Sequence, residues 1–287
     1  MRLQDYNIQK RYKAILLENH RITEEAAKEE VRELHFEIEE PEFQYRVGQC
    51  VGVLIPGPHT FGHEFHFRLY SIADIPALDS LKPKITLCVK RCFYIDDYSG
   101  EHYPGVASNF LCDLKKGQQI ILTGPYDLPF TIPENKNSDI LMIGMGTGIA
   151  PFRAFVRHIY ETVGDWKGKV RLFYGAHTGL EMLYMNDKRD DISHYYDEAT
   201  FKAFQAISPR PHWNEAIEFD QVLKQHEQEV WQMINKNNTH VFIAGLEQIR
   251  VTLDKIFSEF AGSQERWLRM KAELRAGQRW VELIYDD

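Results

Sequence analysis

Hydrophobic and polar positions follow two different rhythms along this chain. In the first half, Tyr12–Glu18, Glu33–Glu37, Cys50–Ile55, Arg68–Ile72 and Lys84–Val89 are short runs, apolar or alternating with polar residues. Gly, Pro, Asp and His separate them. Such runs, bounded by turn formers, predict the strands of a barrel or sandwich. The charged stretch Glu24–Glu33, rich in Ala and Glu, reads as a solvated helical turn or loop and is assigned no function.

The polar, turn-rich segment Pro133–Asp139 marks a boundary. Beyond it, Ile140–Ile143 is a short, wholly apolar strand and Ala150–Thr162 has helical apolar spacing. Val170–Tyr174 then reads as a strand, Asp220–Ile234 as a helix, His240–Ile243 as a strand and Glu247–Phe260 as a helix. Strands alternating with helices predict a parallel sheet covered on both faces. The expected division is one domain over 1–135 and a second over 136–287. No internal repeat or low-complexity tract interrupts it.

Composition narrows the function. A net charge of −8 over 287 residues argues against nonspecific nucleic-acid binding, which needs a basic surface. Cys50, Cys88, Cys92 and Cys112 form no Cys-x-x-Cys pair and no zinc or iron–sulfur ligand set, so no metal is expected. They read as reduced thiols of a cytoplasmic-type compartment. No run approaches the ~20 apolar residues of a membrane span, and the first residues resemble neither a signal nor a transit peptide.

Two constellations carry chemistry. Ile140–Ile143 leads into Gly144-Met145-Gly146-Thr147-Gly148-Ile149-Ala150-Pro151-Phe152-Arg153. A glycine-rich turn between strand and helix lets backbone approach a pyrophosphate, which the helix N-terminus attracts. Pro151 suits the first helical turn. The same residues also fit a tight turn without a ligand. In Arg68-Leu69-Tyr70-Ser71, Arg68 can pair with phosphate, Tyr70 can stack on a flat ring, and Ser71 can bond a ring nitrogen. Gly105-Val106-Ala107-Ser108 precedes an apolar helical segment, with Ser108 as an N-cap or phosphate donor.

Together these motifs resemble plant-type ferredoxin–NADP reductases, in their plastidic-type branch. The resemblance covers nearly the whole chain. It is densest from Leu87-Cys88-Val89-Lys90-Arg91 through Gly105–Lys115 to Gly144–Arg153, and includes Gly48-Gln49, Gly245-Leu246 and the ending Trp280–Tyr285. It implies an N-terminal antiparallel β-barrel binding FAD and a C-terminal α/β parallel-sheet domain binding NADP(H). It implies that Arg68, Val106, Ala107 and Ser108 hold the FAD pyrophosphate, with Leu69 and Cys88 also among the cofactor-binding residues. Tyr70 would stack on one flavin face and Tyr94 on the FAD adenine. Ser71 would sit near flavin N5, and Tyr285 would cover the other face and move aside for nicotinamide. Lys90, Gly146, Thr147, Gly148, Pro151, Gly245 and Leu246 would bind the dinucleotide. Ser208 and Arg210 would take the 2′-phosphate, and Phe219 or Trp213 would stack on its adenine.

The implied reaction is hydride transfer to flavin N5 followed by stepwise one-electron transfer to ferredoxin or flavodoxin. A monomer is expected, with Lys82, Lys84, Lys90, Arg91, Lys115 and Lys116 around Phe67 and Leu69 as the carrier's docking face. The chain departs from the family at Ala244, where a Cys is usual, and at Leu283, where a carboxylate is usual. It also has Pro209 in place of an Arg and extends past Tyr285 by Asp286-Asp287. These departures keep NAD open as the dinucleotide. They also keep open an oxygenase-system reductase and a flavin electron-transfer subunit without its own nicotinamide turnover.

Overall fold

In the computed structural model of the chain, residues 6–57, 64–77, 81–95, 100–209 and 217–285 are described. The first half supplies β1 (Arg11–Arg21), β2 (Val31–Ile38), β3 (Cys50–Pro56), β4 (Phe65–Ser71) and β5 (Lys84–Lys90). The short hairpin β6 (Phe93–Ile95) and β7 (His102–Pro104) follows, then helix α1 (Val106–Asp113) and strand β8 (Gln119–Tyr126). The six long strands pair antiparallel in the order β4-β3-β8-β1-β2-β5. A bridge between Ile72, just past β4, and Leu87 in β5 joins the two edges and closes the barrel. The bridge covers part of what would otherwise be two open edges.

Alternation sets what faces inward. Tyr12, Ala14 and Leu16 of β1 are buried, as are Leu34, Phe36 and Ile38 of β2 and Val51, Val53 and Ile55 of β3. Leu111 and Cys112 of α1 plug one end of this core.

The second half supplies β9 (Asp139–Met145), α2 (Ile149–Arg157), β10 (Val170–Ala176), the two-residue strands β11 (Met185–Asn186) and β12 (Arg189–Asp190), and β13 (Phe201–Ile207). It continues with α3 (Phe219–Gln225), α4 (Glu227–Ile234), β14 (Thr239–Leu246), α5 (Glu247–Ala261), α6 (Gln264–Ala276) and β15 (Trp280–Tyr285). Five strands form a parallel sheet, ordered β13-β10-β9-β14-β15. Ile140 and Met142 of β9 pack on the α2 side, and Leu141 and Ile143 pack against the α4–α6 side. Burial on both faces is why this strand is apolar without alternation.

Several elements differ from the sequence expectation. Residues 31–33 belong to β2, not to a charged loop, and the preceding segment is a turn. The helix expected over Asp220–Ile234 is two helices, α3 and α4, meeting at His226. Helix α2 ends at Arg157 and runs on as a π turn, His158–Val163. Strands β8 and β13 and helix α6 were not anticipated.

The two halves meet across a buried ionic cluster. Arg153 of α2, 2% exposed, donates to Asp191 (2.8 Å) and to the Ala73 carbonyl (2.7 Å). It also lies 3.3 Å from Asp74 and 3.9 Å from Glu33, both in the barrel half. Arg157 pairs with Asp74, and Arg189 with Glu33 (3.2 Å). Arg153 stacks over the Tyr184 ring at 4.8 Å.

Candidate functional site

The dinucleotide turn is built by glycine. Strand β9 ends at Met145, Gly146–Gly148 make one 3₁₀ turn, and α2 starts at Ile149. Gly146 adopts φ +53°, a region that costs other residues energy. A Cβ on Gly148 would lie 2.4 Å from the Ala244 carbonyl oxygen, so the turn presses directly on β14. The Tyr174 hydroxyl donates to the Gly146 carbonyl at 2.9 Å and fixes the turn from below. Pro151 occupies the third helical position, where its missing N–H leaves no broken bond. Thr147 and Gly148 thus sit at the carboxyl ends of the parallel strands, where sheets of this kind bind ligands.

The Arg68–Ser71 tetrapeptide is strand β4. It pairs with β3 so that Arg68 opposes Val53, Leu69 opposes Gly52, Tyr70 opposes Val51 and Ser71 opposes Cys50. Arg68 is exposed and has no carboxylate partner among the described residues. Tyr70 packs on the barrel core, and burial pushes its phenol up. Helix α1 packs against β3, β4 and β5. Its N-cap is Gly105, so Ser108 is not the cap; the Ser108 hydroxyl instead accepts from the Cys92 N–H (3.1 Å) and donates to the Gly105 carbonyl (3.3 Å). That correction removes the cap role but leaves the first-turn N–H groups beside an exposed Val106, with Ala107 buried behind it. Arg91 braces this helix through Asn109 (3.0 Å) and Asp113 (2.9 Å). On the β6–β7 hairpin Tyr94 stacks on Tyr103, centroids 5.5 Å apart and 22° between planes, with Tyr94 56% exposed. Cys88 is buried, which pushes its thiol up to about 12.

The last strand joins the two constellations. Tyr285 is in register with Leu246 across β14 and β15, and its side chain lies near Ser71 of the barrel. Burial pushes the Tyr285 phenol up to about 12, against the nearby Ser71 hydroxyl. Gly245 adopts φ +154°, and a Cβ there would lie 2.6 Å from the Met145 side chain. Ser71, Tyr285, Gly245 and the glycine turn thus converge.

Phe219 does not join them. Phe219 is 2% exposed and packs over Gly175 in the core beneath α3, so its ring offers no free face to an adenine. Ser208 is buried at the end of β13, and Arg210 and Trp213 lie outside the described residues. Lys90 ends the strand that packs on the glycine turn and is ion-paired with Glu29. Of the cations expected to dock a carrier, Lys82 pairs with Glu37 (3.2 Å) and Arg91 with Glu30 (2.9 Å) and Asp113 (2.9 Å).

Residues 142–253 match the family described as the oxidoreductase NAD-binding domain. A chloroplastic ferredoxin–NADP reductase of Mesembryanthemum crystallinum is 36% identical over 256 residues, 86% of this chain and 68% of that protein. One from Spirulina is 32% identical over 272 residues, 92% of each. The chain belongs to the ferredoxin–NADP reductase family. A solved ferredoxin-NADP+ reductase from Plasmodium falciparum has the same fold, with a TM-score of 0.71 at 18% identity, covering 98% of both chains.

Ferredoxin–NADP reductases use FAD and NADP(H), and the residues here fit both. An exposed Arg68 without a carboxylate partner among the described residues, on the strand that packs against α1, suits a pyrophosphate, and the exposed Tyr94 ring suits an adenine. At Gly146 a Cβ would meet nothing within 4 Å, an open face that suits close backbone approach to a second pyrophosphate, while the missing Cβ of Gly148 faces β14. Two departures from the reductase pattern are now physical. Ala244 is fully buried with its carbonyl against Gly148. The β14–β15 register runs without a shift, so no bulge brings Glu282 to the position of Leu283.

Sequence reasoning overlooked Glu29, Arg153 and Arg157. Arg153 closes the glycine motif, yet nothing local announces that it faces three carboxylates from distant segments.

Proposed function

We propose that this chain is an FAD-dependent reductase that passes electrons between NADP(H) and ferredoxin, with flavodoxin as a further carrier. In this reading residues 1–135 form the FAD domain and 136–287 the NADP(H) domain, and the protein works as a cytoplasmic monomer. No described helix is long and apolar enough to cross a membrane.

The observation that carries the reading is the meeting of Ser71 and Tyr285 beside the Gly146–Gly148 turn. Arg68 and the first-turn N–H groups of α1 bind the FAD pyrophosphate, and Tyr94 holds its adenine. Tyr70 backs one face of the ring system and excludes water there. The Ser71 hydroxyl holds a hydrogen bond at the reacting edge. When bound, FAD supplies what side chains lack, taking electrons as a pair and releasing them singly. Tyr285 covers the opposite face and withdraws to admit nicotinamide. Lys90 and the Gly146–Gly148 backbone then hold the dinucleotide, and Ser208 with Arg210 takes the 2′-phosphate. These residues position partners; no strong general base is required.

The test is an anaerobic titration of the FAD-loaded protein with NADPH and with NADH, followed by cytochrome c reduction with and without ferredoxin or flavodoxin. Bleaching at lower NADPH than NADH, and carrier-dependent cytochrome reduction, are expected. A protein that takes up no FAD ends the reading. Preferential bleaching by NADH favours the oxygenase-system alternative. Gel filtration reads the monomer.

A further inference from the structure

The β1–β2 turn is pinned against the second half of the molecule. Ile22 and Val31 lie in the hydrophobic cluster that spans both halves, and the Ile22 carbonyl accepts from the Asn186 side chain at 3.0 Å. Register then fixes where the turn's carboxylates fall. Val31 opposes Lys90 across β2 and β5, and the Arg91 N–H donates to the Glu30 carbonyl at 2.9 Å. Glu30 is used up by Arg91 and Arg32. Glu29 closes on the Lys90 ammonium, with side chains 31% and 35% exposed.

That pair lies at the end of the strand that meets the dinucleotide turn. Strand β5 packs against the Gly146–Gly148 turn. The Tyr174 phenol, which bonds the Gly146 carbonyl, is pushed well up chiefly by burial, and the Glu29 and Glu181 carboxylates add to that push. A carboxylate therefore already occupies the cation that the proposed function brings to a pyrophosphate.

We propose that Glu29 is a built-in competitor for the pyrophosphate of the nicotinamide dinucleotide, a specificity-determining residue that holds Lys90 until the dinucleotide displaces it. The proposal rests on the reading that Lys90 meets that pyrophosphate. The phosphates carry more charge than one carboxylate and offer Lys90 a stronger partner. Displaced Glu29 remains a nearby like charge that weakens binding and shortens the stay of the oxidised dinucleotide. Glu29 thus tunes affinity without touching the reacting atoms.

The experiment titrates NADP+ into the FAD-loaded protein by calorimetry, for the wild type, Glu29→Gln, Glu29→Ala, Lys90→Gln and the Glu29→Gln/Lys90→Gln double variant. FAD content and melting temperature show that each is folded. Both Glu29 variants are expected to lower the NADP+ Kd by about fivefold at low salt, with the gain shrinking as salt rises. The NADPH KM should fall likewise. Adenosine 2′-monophosphate, which has no pyrophosphate, should bind the wild type and both variants equally. Lys90→Gln should weaken NADP+, and adding Glu29→Gln to it should recover less than half of the single-variant gain. An unchanged or raised Kd in the Glu29 variants, with Lys90→Gln still weakening, overturns this proposal alone. The same gain for the monophosphate also overturns it. A Lys90→Gln protein that binds NADP+ like the wild type overturns the reading of Lys90 and the proposal with it.

Discussion

Glu282 and Leu283 stand on opposite faces of the final strand. Leu283 packs into the cluster shared by both halves of the molecule, while Glu282, its side chain 7% exposed, gathers Arg250 (3.0 Å), Arg275 (2.6 Å), Lys271 (3.2 Å) and the Trp280 indole (2.7 Å). Burial pushes the Glu282 carboxyl up, but the Trp280 bond and these cations outweigh it and hold it below its ordinary value. It is a structural carboxylate turned away from Ser71 and Tyr285.

Replacing Glu282 should therefore cost stability rather than catalysis. In Glu282→Ala, the buried Lys271 keeps only Asp254, and Arg250 keeps only Glu247. Urea unfolding is expected to show a loss of about 2–4 kcal/mol. At a temperature where the variant is folded, its NADPH-driven reduction of ferricyanide should stay within about twofold of wild type. A large fall in kcat with unchanged stability would contradict this placement.

Arg153 ties the two halves together. Its guanidinium is the shared counter-charge of Asp191, Asp74 and Glu33, and both Arg153 and Glu33 are nearly inaccessible to water. Arg153→Leu leaves buried carboxylates short of a partner, and a loss of roughly 3–5 kcal/mol is expected in chemical unfolding. Arg153→Lys keeps the charge but not the forked donor geometry, and should recover only part of that loss. Equal stability of the leucine variant and wild type would show that the cluster does not hold the halves.

Acid should weaken the same junction. Burial pushes the Glu33 carboxyl up, but the His35 bond and the Arg153 and Arg189 guanidiniums outweigh it and hold it at about 2, against an ordinary 4.5. A carboxyl lowered on folding contributes stability that is complete above the ordinary value and is lost as pH falls through the folded one. Glu229, held at about 2 by Arg171 and Lys169 against its own burial, adds in the same direction. Unfolding free energy should dip as pH falls through 6.5, because burial holds His158 and His240 below their ordinary value, and then fall steadily from about pH 5 toward pH 2. Glu33→Gln should be less stable at neutral pH and show a shallower acid limb. An acid limb unchanged by that substitution would place the titration elsewhere.

How far the sequence speaks depends on whether a feature is local. Ile140–Ile143 was legible because a strand covered on both faces is apolar throughout, and the turn after it because glycine adopts the Gly146 conformation most cheaply and only glycine fits the Gly148 contact. Helix α6 hides its period: Trp267, Lys271 and Leu274 are buried at helical spacing, but one of the three is a lysine. Ser108 was read as a cap because small hydroxyl residues favour that position, yet the helix starts two residues earlier and the hydroxyl turns to Cys92. The pairing of Glu29 with Lys90 spans 61 residues and exists only because β2 lies against β5. No local pattern encodes such a contact.

The glycine turn allows a sharper test of the dinucleotide site, because its glycines are required for different reasons. At Gly148 the backbone could be adopted by any residue, but an alanine methyl would lie 2.4 Å from the Ala244 carbonyl oxygen and 2.7 Å from its carbon. Backbone cannot yield as a flexible side chain can, so Gly148→Ala must push the turn off β14. At Gly146 the space is open and only the φ of +53° opposes a side chain, at about 1 kcal/mol. Gly148→Ala should therefore weaken NADP+ binding at least tenfold, and Gly146→Ala by less, if its methyl stays clear of the ligand. Both should retain FAD, since Arg68, Tyr70, Tyr94 and α1 lie in the barrel half. Loss of flavin from Gly148→Ala at wild-type melting temperature would mean that the turn serves the flavin and not the dinucleotide.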